Sequence, residues 1–418
     1  MEHHRILATA GCVHLRRIAV FFAAGALLCA AGASSAIAQK QYAPGITDTE
    51  IKIGQTVPYS GPASAYSTFG KAETAYYRMI NDAGGINGRK IRLISLDDGY
   101  SPPKTFEQTR RLIEQDGVAL IVGSLGTATN TAIQKYLNDR KIPQLFISTL
   151  ASKFNDPRHF PWTMPSLAAS YHTEGMIYAK YILRHSPNAR IAVLYQNDDY
   201  GKDYVQGLKD GLGPQAAQRI VATASYEVTD ATADSQVVSL QASGADTLYD
   251  VSTPKFAAQI IRKTYDIGWK PTHFLNAVAA YVGLVFQPAG IEKARGIISA
   301  SIVKDITDPR LAEDAEYKEW LAWMRSYYPE GNVLDAANVN AYLVAQSFVQ
   351  VLQQCGDDLS RDNIMRQAAN IRDLRLKMLL PGLAANTSPT DYEAVKQMYV
   401  RQFNGKTWDV LETLVAEN

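Results

Sequence analysis

Cysteine is scarce: three residues in a chain of 418 cannot build a disulfide framework. Surplus charge is missing too, because 42 Lys+Arg stand against 41 Asp+Glu for a net +1, and a nucleic-acid binder would gather a basic excess. Glycine (28) and proline (18) are too few for a collagenous or low-complexity chain. What is present, 46% hydrophobic and 20% charged residues, describes a packed globular protein of two or three domains at roughly 100–200 residues each.

Catalytic signatures are absent as well. No Gly-x-x-x-x-Gly-Lys-Ser/Thr occurs, so no phosphate-cradling loop of that kind is expected, and no Gly-x-Ser-x-Gly elbow is found. Gly211-Leu212-Gly213-Pro214 resembles a dinucleotide fingerprint only on its surface, since it follows a helical segment and reads as a helix end and turn. His159, His172, His185 and His273 lie in separate elements without a partner at metal-ligand spacing, so no metal and no cofactor is expected. Asp97-Asp98 and Asp198-Asp199 could pair as acid and base, but carboxylates just after strands more often cap turns or the next helix. Trp320, Trp323, Tyr327 and Tyr328 fall at helical spacing and read as core and rim. No catalytic residue is assigned, and the chain is not expected to be an enzyme.

One long uncharged run exists, residues 18–33, directly after Arg16-Arg17 and shortly before Ala36-Ile37-Ala38. It is short for a membrane span of about 20 residues, and the small residues fit a signal-peptidase site, so residues 1–38 read as a secretory leader. Twin-arginine export stays open beside the general route. Cleavage after Ala38 leaves 380 residues; losing three arginines and Glu2 leaves 39 basic and 40 acidic groups, a mature charge of −1. Cys12 and Cys29 go with the leader, so the exported chain holds Cys355 alone, read as a partly buried thiol at a helix end.

The rest alternates. Residues 51–57, 91–96, 118–122 and 145–147 read as strands, each followed or preceded by a segment with apolar residues at three- and four-residue steps. After an irregular stretch at 155–167 a second series begins, with helical pattern at 171–185, a strand at 191–195, a helix at 202–212, a strand at 247–251 and a helical stripe over 256–267. Alternation of this kind predicts α/β lobes with parallel sheets covered on both faces. Open parallel sheets bind ligands beyond the carboxyl ends of their strands, which selects the loops 59–69, 123–131, 148–154, 196–202 and 252–256. Four of them are rich in Ser, Thr, Gly and Tyr and poor in charge, suited to hydrogen-bonding a small ligand.

At this point the motifs carry a resemblance. The run Ile53-Gly54-Gln55-Thr56-Val57-Pro58-Tyr59-Ser60-Gly61-Pro62-Ala63, the turn Asn81-Asp82-Ala83-Gly84-Gly85-Ile86-Asn87-Gly88, and Asp97-Asp98 resemble the leucine/isoleucine/valine-binding protein family, type I periplasmic substrate-binding proteins of ABC importers. Ile121-Val122-Gly123-Ser124, Tyr178-Ala179-Lys180-Tyr181-Ile182 and Asp199-Tyr200-Gly201 extend the likeness over nearly the whole mature chain. The resemblance implies two doubly wound parallel-sheet lobes joined by a three-segment hinge, placed at 44–164 with 302–388 and at 165–301 with 389–418. Ligand would sit between lobes that close over it, and the closed form would dock on membrane permease subunits. It further implies a monomer in the periplasm, with no nucleic-acid partner.

Carried over residue by residue, the likeness places Tyr66, Ser124, Gly126, Thr127, Leu150, Ala151 and Ser152 on the first lobe's side of the cleft. Tyr200, Thr253 and Val278 would face them. The loops at Thr127 and at Leu150 with Ser152 match positions that hold a ligand carboxylate, and both would lead to helix N-termini able to bind an anion without a buried lysine or arginine. One position departs. Family members that bind α-amino acids carry an acid after the strand corresponding to 274–276, and this chain has Ala277-Val278-Ala279 there. The resemblance therefore implies a small carboxylic acid with an apolar or aromatic body and no amino group. A branched-chain amino acid is the alternative if another carboxylate reaches the ammonium, and a ligand-sensing receptor or regulator domain is an alternative of another class.

Overall fold

A computed structural model describes residues 40–415. The leader expected at 1–38 lies outside the described residues. Strand β1 (Gln41–Tyr42) pairs in parallel with the late strand β12 (Asp358–Leu359), pinning the start of the described chain to a distant segment.

The first sheet has the order β3-β2-β4-β5-β6 and is parallel throughout: β2 (Glu50–Val57), β3 (Lys90–Asp97), β4 (Leu120–Val122), β5 (Gln144–Ile147) and β6 (Thr163–Pro165). Ile51, Ile53 and Val57 are fully buried, as parallel strands covered on both faces require. Helix α1 (Thr68–Asp82) follows β2 and stops at Gly84-Gly85, both at positive φ (105° and 74°). A Cβ on Gly85 would stand 2.1 Å from the Arg89 carbonyl oxygen, so only glycine fits the turn that returns the chain to β3. Arg89 is buried and donates to the Asp357 carboxylate at 2.7 Å and to the Tyr42 hydroxyl at 2.6 Å, which locks that turn to the β1–β12 ribbon. Helices α2 (Pro102–Glu114), opened by its prolines, and α3 (Thr127–Asp139) complete the first series.

The second sheet has the order β14-β13-β11-β10-β9-β7-β8. Strands β7 (Ile191–Gln196), β8 (Ile220–Tyr226), β9 (Thr247–Val251), β10 (Thr272–Leu275) and β11 (Ile298–Ser301) are parallel. An antiparallel hairpin, β13 (Gln397–Phe403) and β14 (Trp408–Val415), closes its edge, so this sheet is mixed where alternation predicted parallel strands only. Helices α4 (Tyr171–His185), α5 (Asp199–Leu212), α6 (Asp234–Ala242) and α7 (Pro254–Asp266) accompany it. Strand β6 falls inside the stretch expected to be irregular. Its three residues pair with β5 although Pro165 ends them, as an edge strand allows.

Three crossings join the sheets. The chain leaves β6 for α4, returns after β11 to helices α8 (Ala315–Tyr327) and α9 (Ala337–Cys355), which pack on α1, continues through β12 and α10 (Arg361–Ala368), and goes back to β13. The segment that leaves β11 pairs with the stretch between α10 and β13: Leu380 N–H donates to the Ile302 carbonyl at 2.8 Å and Lys304 N–H to the Met378 carbonyl at 2.9 Å. Trp320 and Trp323 are buried, and α9 is buried over most of its circumference. Cys355, its last residue, is buried and its thiol is pushed up to about 12 by desolvation, so it packs as a small apolar group.

Candidate functional site

The loops after β2, β4 and β5 of the first sheet and after β7, β9 and β10 of the second open onto one cavity between the lobes. Seven of the residues singled out from the sequence line it: Tyr66, Gly126, Thr127, Leu150, Tyr200, Thr253 and Val278. Ser124, Ala151 and Ser152 do not. The Ser124 hydroxyl accepts from Thr56 N–H at 3.0 Å and is buried within the first sheet's loops. Ala151 N–H lies 3.4 Å from the Thr149 hydroxyl, and Ser152 donates from N–H (2.8 Å) and from its hydroxyl to the Asp203 carboxylate on α5. Ser152 thus bridges the lobes instead of facing the cavity, because its partner comes from a helix 51 residues away.

Gly126 has φ 103°, and a Cβ there would strike the Thr129 hydroxyl and the Tyr100 ring at 2.6 Å, which fixes glycine ahead of α3. Thr127 is the first residue of that helix, where main-chain N–H groups have no acceptor within the helix. Its hydroxyl meets that of Thr149 at 2.7 Å, tying the β4 and β5 loops together. The loop at Leu150 leads only to a three-residue 3-10 turn, Ser152–Phe154, not to an α-helix, so of these two loops only the one at Thr127 brings a helix N-terminus to the cavity.

From the other lobe, Tyr200 donates to the Ser252 carbonyl at 3.0 Å and accepts from the Asn276 amide at 2.8 Å. Its ring sits edge-on to Tyr171 (5.2 Å), which stacks on Tyr204 (4.7 Å). Thr253 N–H donates to the Tyr226 hydroxyl at 3.0 Å. Tyr66 reaches across from the first lobe and donates to the Val278 carbonyl at 3.0 Å. The acid pairs serve turns and caps: Asp97 accepts from Ser60, Gly99 and Lys104, Asp98 from Tyr100 N–H and Thr105, and Asp198 caps α5 through Gly201 N–H. Among the described residues no cluster of metal-ligating side chains occurs.

Two charged residues on the cavity wall were not found from the sequence. Glu174 is 1% exposed; one carboxylate oxygen accepts from Ala277 N–H at 2.7 Å and the other from the Tyr204 hydroxyl at 2.8 Å. Burial pushes it up to about 7, against the opposing pull of those hydrogen bonds. Its spacing from Tyr171 and Tyr178 on one helical face was the available signal, but an acid in a first turn reads as a complement to the helix dipole. Arg401 is 7% exposed, and its guanidinium carbon lies 4.3 Å from the Trp408 ring centre. The anion site read from the sequence included no buried arginine, and β13 brings one to the cavity wall.

A family model described as periplasmic binding protein matches residues 50–407. Over 313 residues the chain is 24% identical to Leu/Ile/Val-binding protein homolog 1 of Brucella abortus (strain 2308), covering 74% of this chain and 80% of that protein. Two solved structures share the fold. The fatty acid ABC transporter substrate-binding protein of Thermomonospora curvata has a TM-score of 0.75 at 20% identity over 90% of this chain and 95% of that one. A branched chain amino acid ABC transporter protein of Thermus thermophilus with bound valine has a TM-score of 0.76 at 16% identity, covering 88% and 97%.

Proposed function

The chain belongs to the periplasmic binding protein family, a family of binding proteins and not of enzymes, and we propose that it is the solute-binding component of an ABC importer whose ligand is a small carboxylic acid with an apolar or aromatic body and no amino group. In this reading the leader at 1–38 exports it to the periplasm. There it works as a monomer and docks on permease subunits when closed. The lobe limits proposed from the sequence accord with chain crossings after β6, after β11 and before β13.

One observation carries the ligand reading: the segment Ala277–Ala279 faces the cavity with Ala277 and Val278 and no acid of its own, and the wall around it is mostly tyrosine rings, valines and leucines, the one nearby acid, Glu174, being already engaged by Ala277 N–H and Tyr204. An ammonium left unpaired there would cost at least several kcal/mol, enough to cancel most of the roughly 8 kcal/mol of micromolar binding. Tyr66, Gly126, Thr127, Leu150, Tyr200, Thr253 and Val278 then wall the ligand, and Ser152 acts through its bridge to Asp203.

A second reading rests on Glu174, a buried carboxylate on the same wall that could face the ammonium of a branched-chain amino acid. Against it stand the hydrogen bonds that engage both Glu174 oxygens and the burial that favours its protonated form near neutral pH. Calorimetric titration with benzoate, octanoate, leucine and valine separates the two. Binding of the acids without the amino acids supports the first reading; binding of leucine or valine alone, lost in Glu174→Gln, overturns it.

A further inference from the structure

Strand β13 carries an irregularity that aims a cation into the cavity. Its pairing with β14 shifts register between Val400 and Arg401, and both of these consecutive residues are buried, whereas alternation before and after the shift buries every second residue. A bulge of this kind re-aims a side chain. The guanidinium lies over the Trp408 ring at 4.3 Å, but an aromatic face offers no hydrogen-bond acceptor in the plane of the fork. Arg401 Nε is buried without a hydrogen-bond partner.

The acids that face the group do not answer it. Glu174 accepts from Ala277 N–H and from Tyr204, and it forms no ion pair with Arg401. Asp305 accepts from Thr307 through one oxygen and from Trp408 N–H through the other. A buried arginine fork with no carboxylate in contact is matched by a planar anion accepting two parallel hydrogen bonds. The same cavity presents the α3 N-terminus at Gly126 and Thr127 from the opposite lobe.

We infer that Arg401 is an anion-recognition residue of the interlobe cavity, and that the preferred ligands are dicarboxylates with an apolar or aromatic spacer, one carboxylate on Arg401 and the other at the Gly126–Thr127 helix end. This rests on the carboxylic-acid reading above and narrows it. One carboxylate satisfies one end and leaves the other without its partner; two carboxylates bridge the lobes and draw them shut.

The test is calorimetric titration of the purified protein with matched pairs, terephthalate against benzoate and suberate against octanoate. Wild type is compared with Arg401→Gln and Arg401→Met. In wild type at least one diacid binds about tenfold or more tighter than its monoacid, and both variants lose that gap. Ligand-free Arg401→Met melts no lower than wild type, because it removes a buried charge that lacks a partner. Monoacids binding as tightly as both diacids in wild type overturn the inference with no variant needed and leave the monocarboxylate reading standing. A folded Arg401→Met that keeps the diacid preference overturns it equally. Binding of leucine or valine with no acid of either kind overturns the underlying reading and this inference together.

Discussion

The Tyr66 hydroxyl donates to the Val278 main-chain oxygen at 3.0 Å across 212 residues of sequence, so a side chain of one lobe is fastened to the backbone of the other. The bond exists only while the lobes are together. Tyr66→Phe keeps the ring and its edge contact with Phe69 but removes the donor. Loss of a neutral hydrogen bond of about 1 kcal/mol predicts a fall in ligand affinity of about fivefold. Titration calorimetry reads the affinity, and small-angle scattering of the ligand-free protein is expected to show a larger radius of gyration.

A stronger fastening joins Ser152 to Asp203. The carboxylate accepts from both the N–H and the hydroxyl of Ser152, and bonds to charged acceptors contribute about 1.5–3 kcal/mol. Asp203→Ala is expected to weaken ligand binding by roughly tenfold or more, through faster release. Stopped-flow dissociation would check it; an unchanged release rate would show that the bridge plays no part in closure.

Glu174 gives the molecule a pH signature. Its carboxyl is pushed up to about 7 from an ordinary 4.5, so between those values the folded protein holds a proton that the unfolded chain has released. That contribution to stability falls as pH rises through the window and levels off above about 7. Asp335, pushed up to about 6 by burial, acts in the same direction. Relative to wild type, Glu174→Gln is expected to gain stability by an amount small near pH 4 and reaching about 1–3 kcal/mol at pH 8, read by urea unfolding at several pH values.

Gly85 offers a test of the fold apart from the site. An alanine there needs φ 74° and places its methyl 2.1 Å from the Arg89 carbonyl oxygen. Gly85→Ala is expected to cost about 1–3 kcal/mol in denaturant unfolding. Gly88→Ala shares the positive φ but meets nothing within 4 Å, so it should cost less.

Much of this architecture was legible in the residues. Apolar runs such as 191–195 and 247–251 became buried parallel strands, and Gly84-Gly85 and Gly268 stop helices as their conformational freedom suggests. Strand β8 was missed because Ile220–Tyr226 alternates small and polar residues at a sheet edge where little is buried. Arg401 was missed for a different reason. Period-two reading from Met398 and Val400 turns it away from their face, and only the register shift, a property of the pairing and not of the run, buries it with them. The Ser152 bridge was hidden because its acceptor belongs to the other lobe, and a loop motif says nothing about what closes over it.

The pairing of residues 302–304 with 378–380 has a mechanical consequence. The segment leaving β11 is stitched to the stretch of chain between α10 and β13, and a ribbon stitched across its width bends far more readily than it shears. In the importer role proposed above, opening and shutting would then follow one axis, so the rim presented to a membrane partner would report a single variable, the angle at which the occupied jaws come to rest.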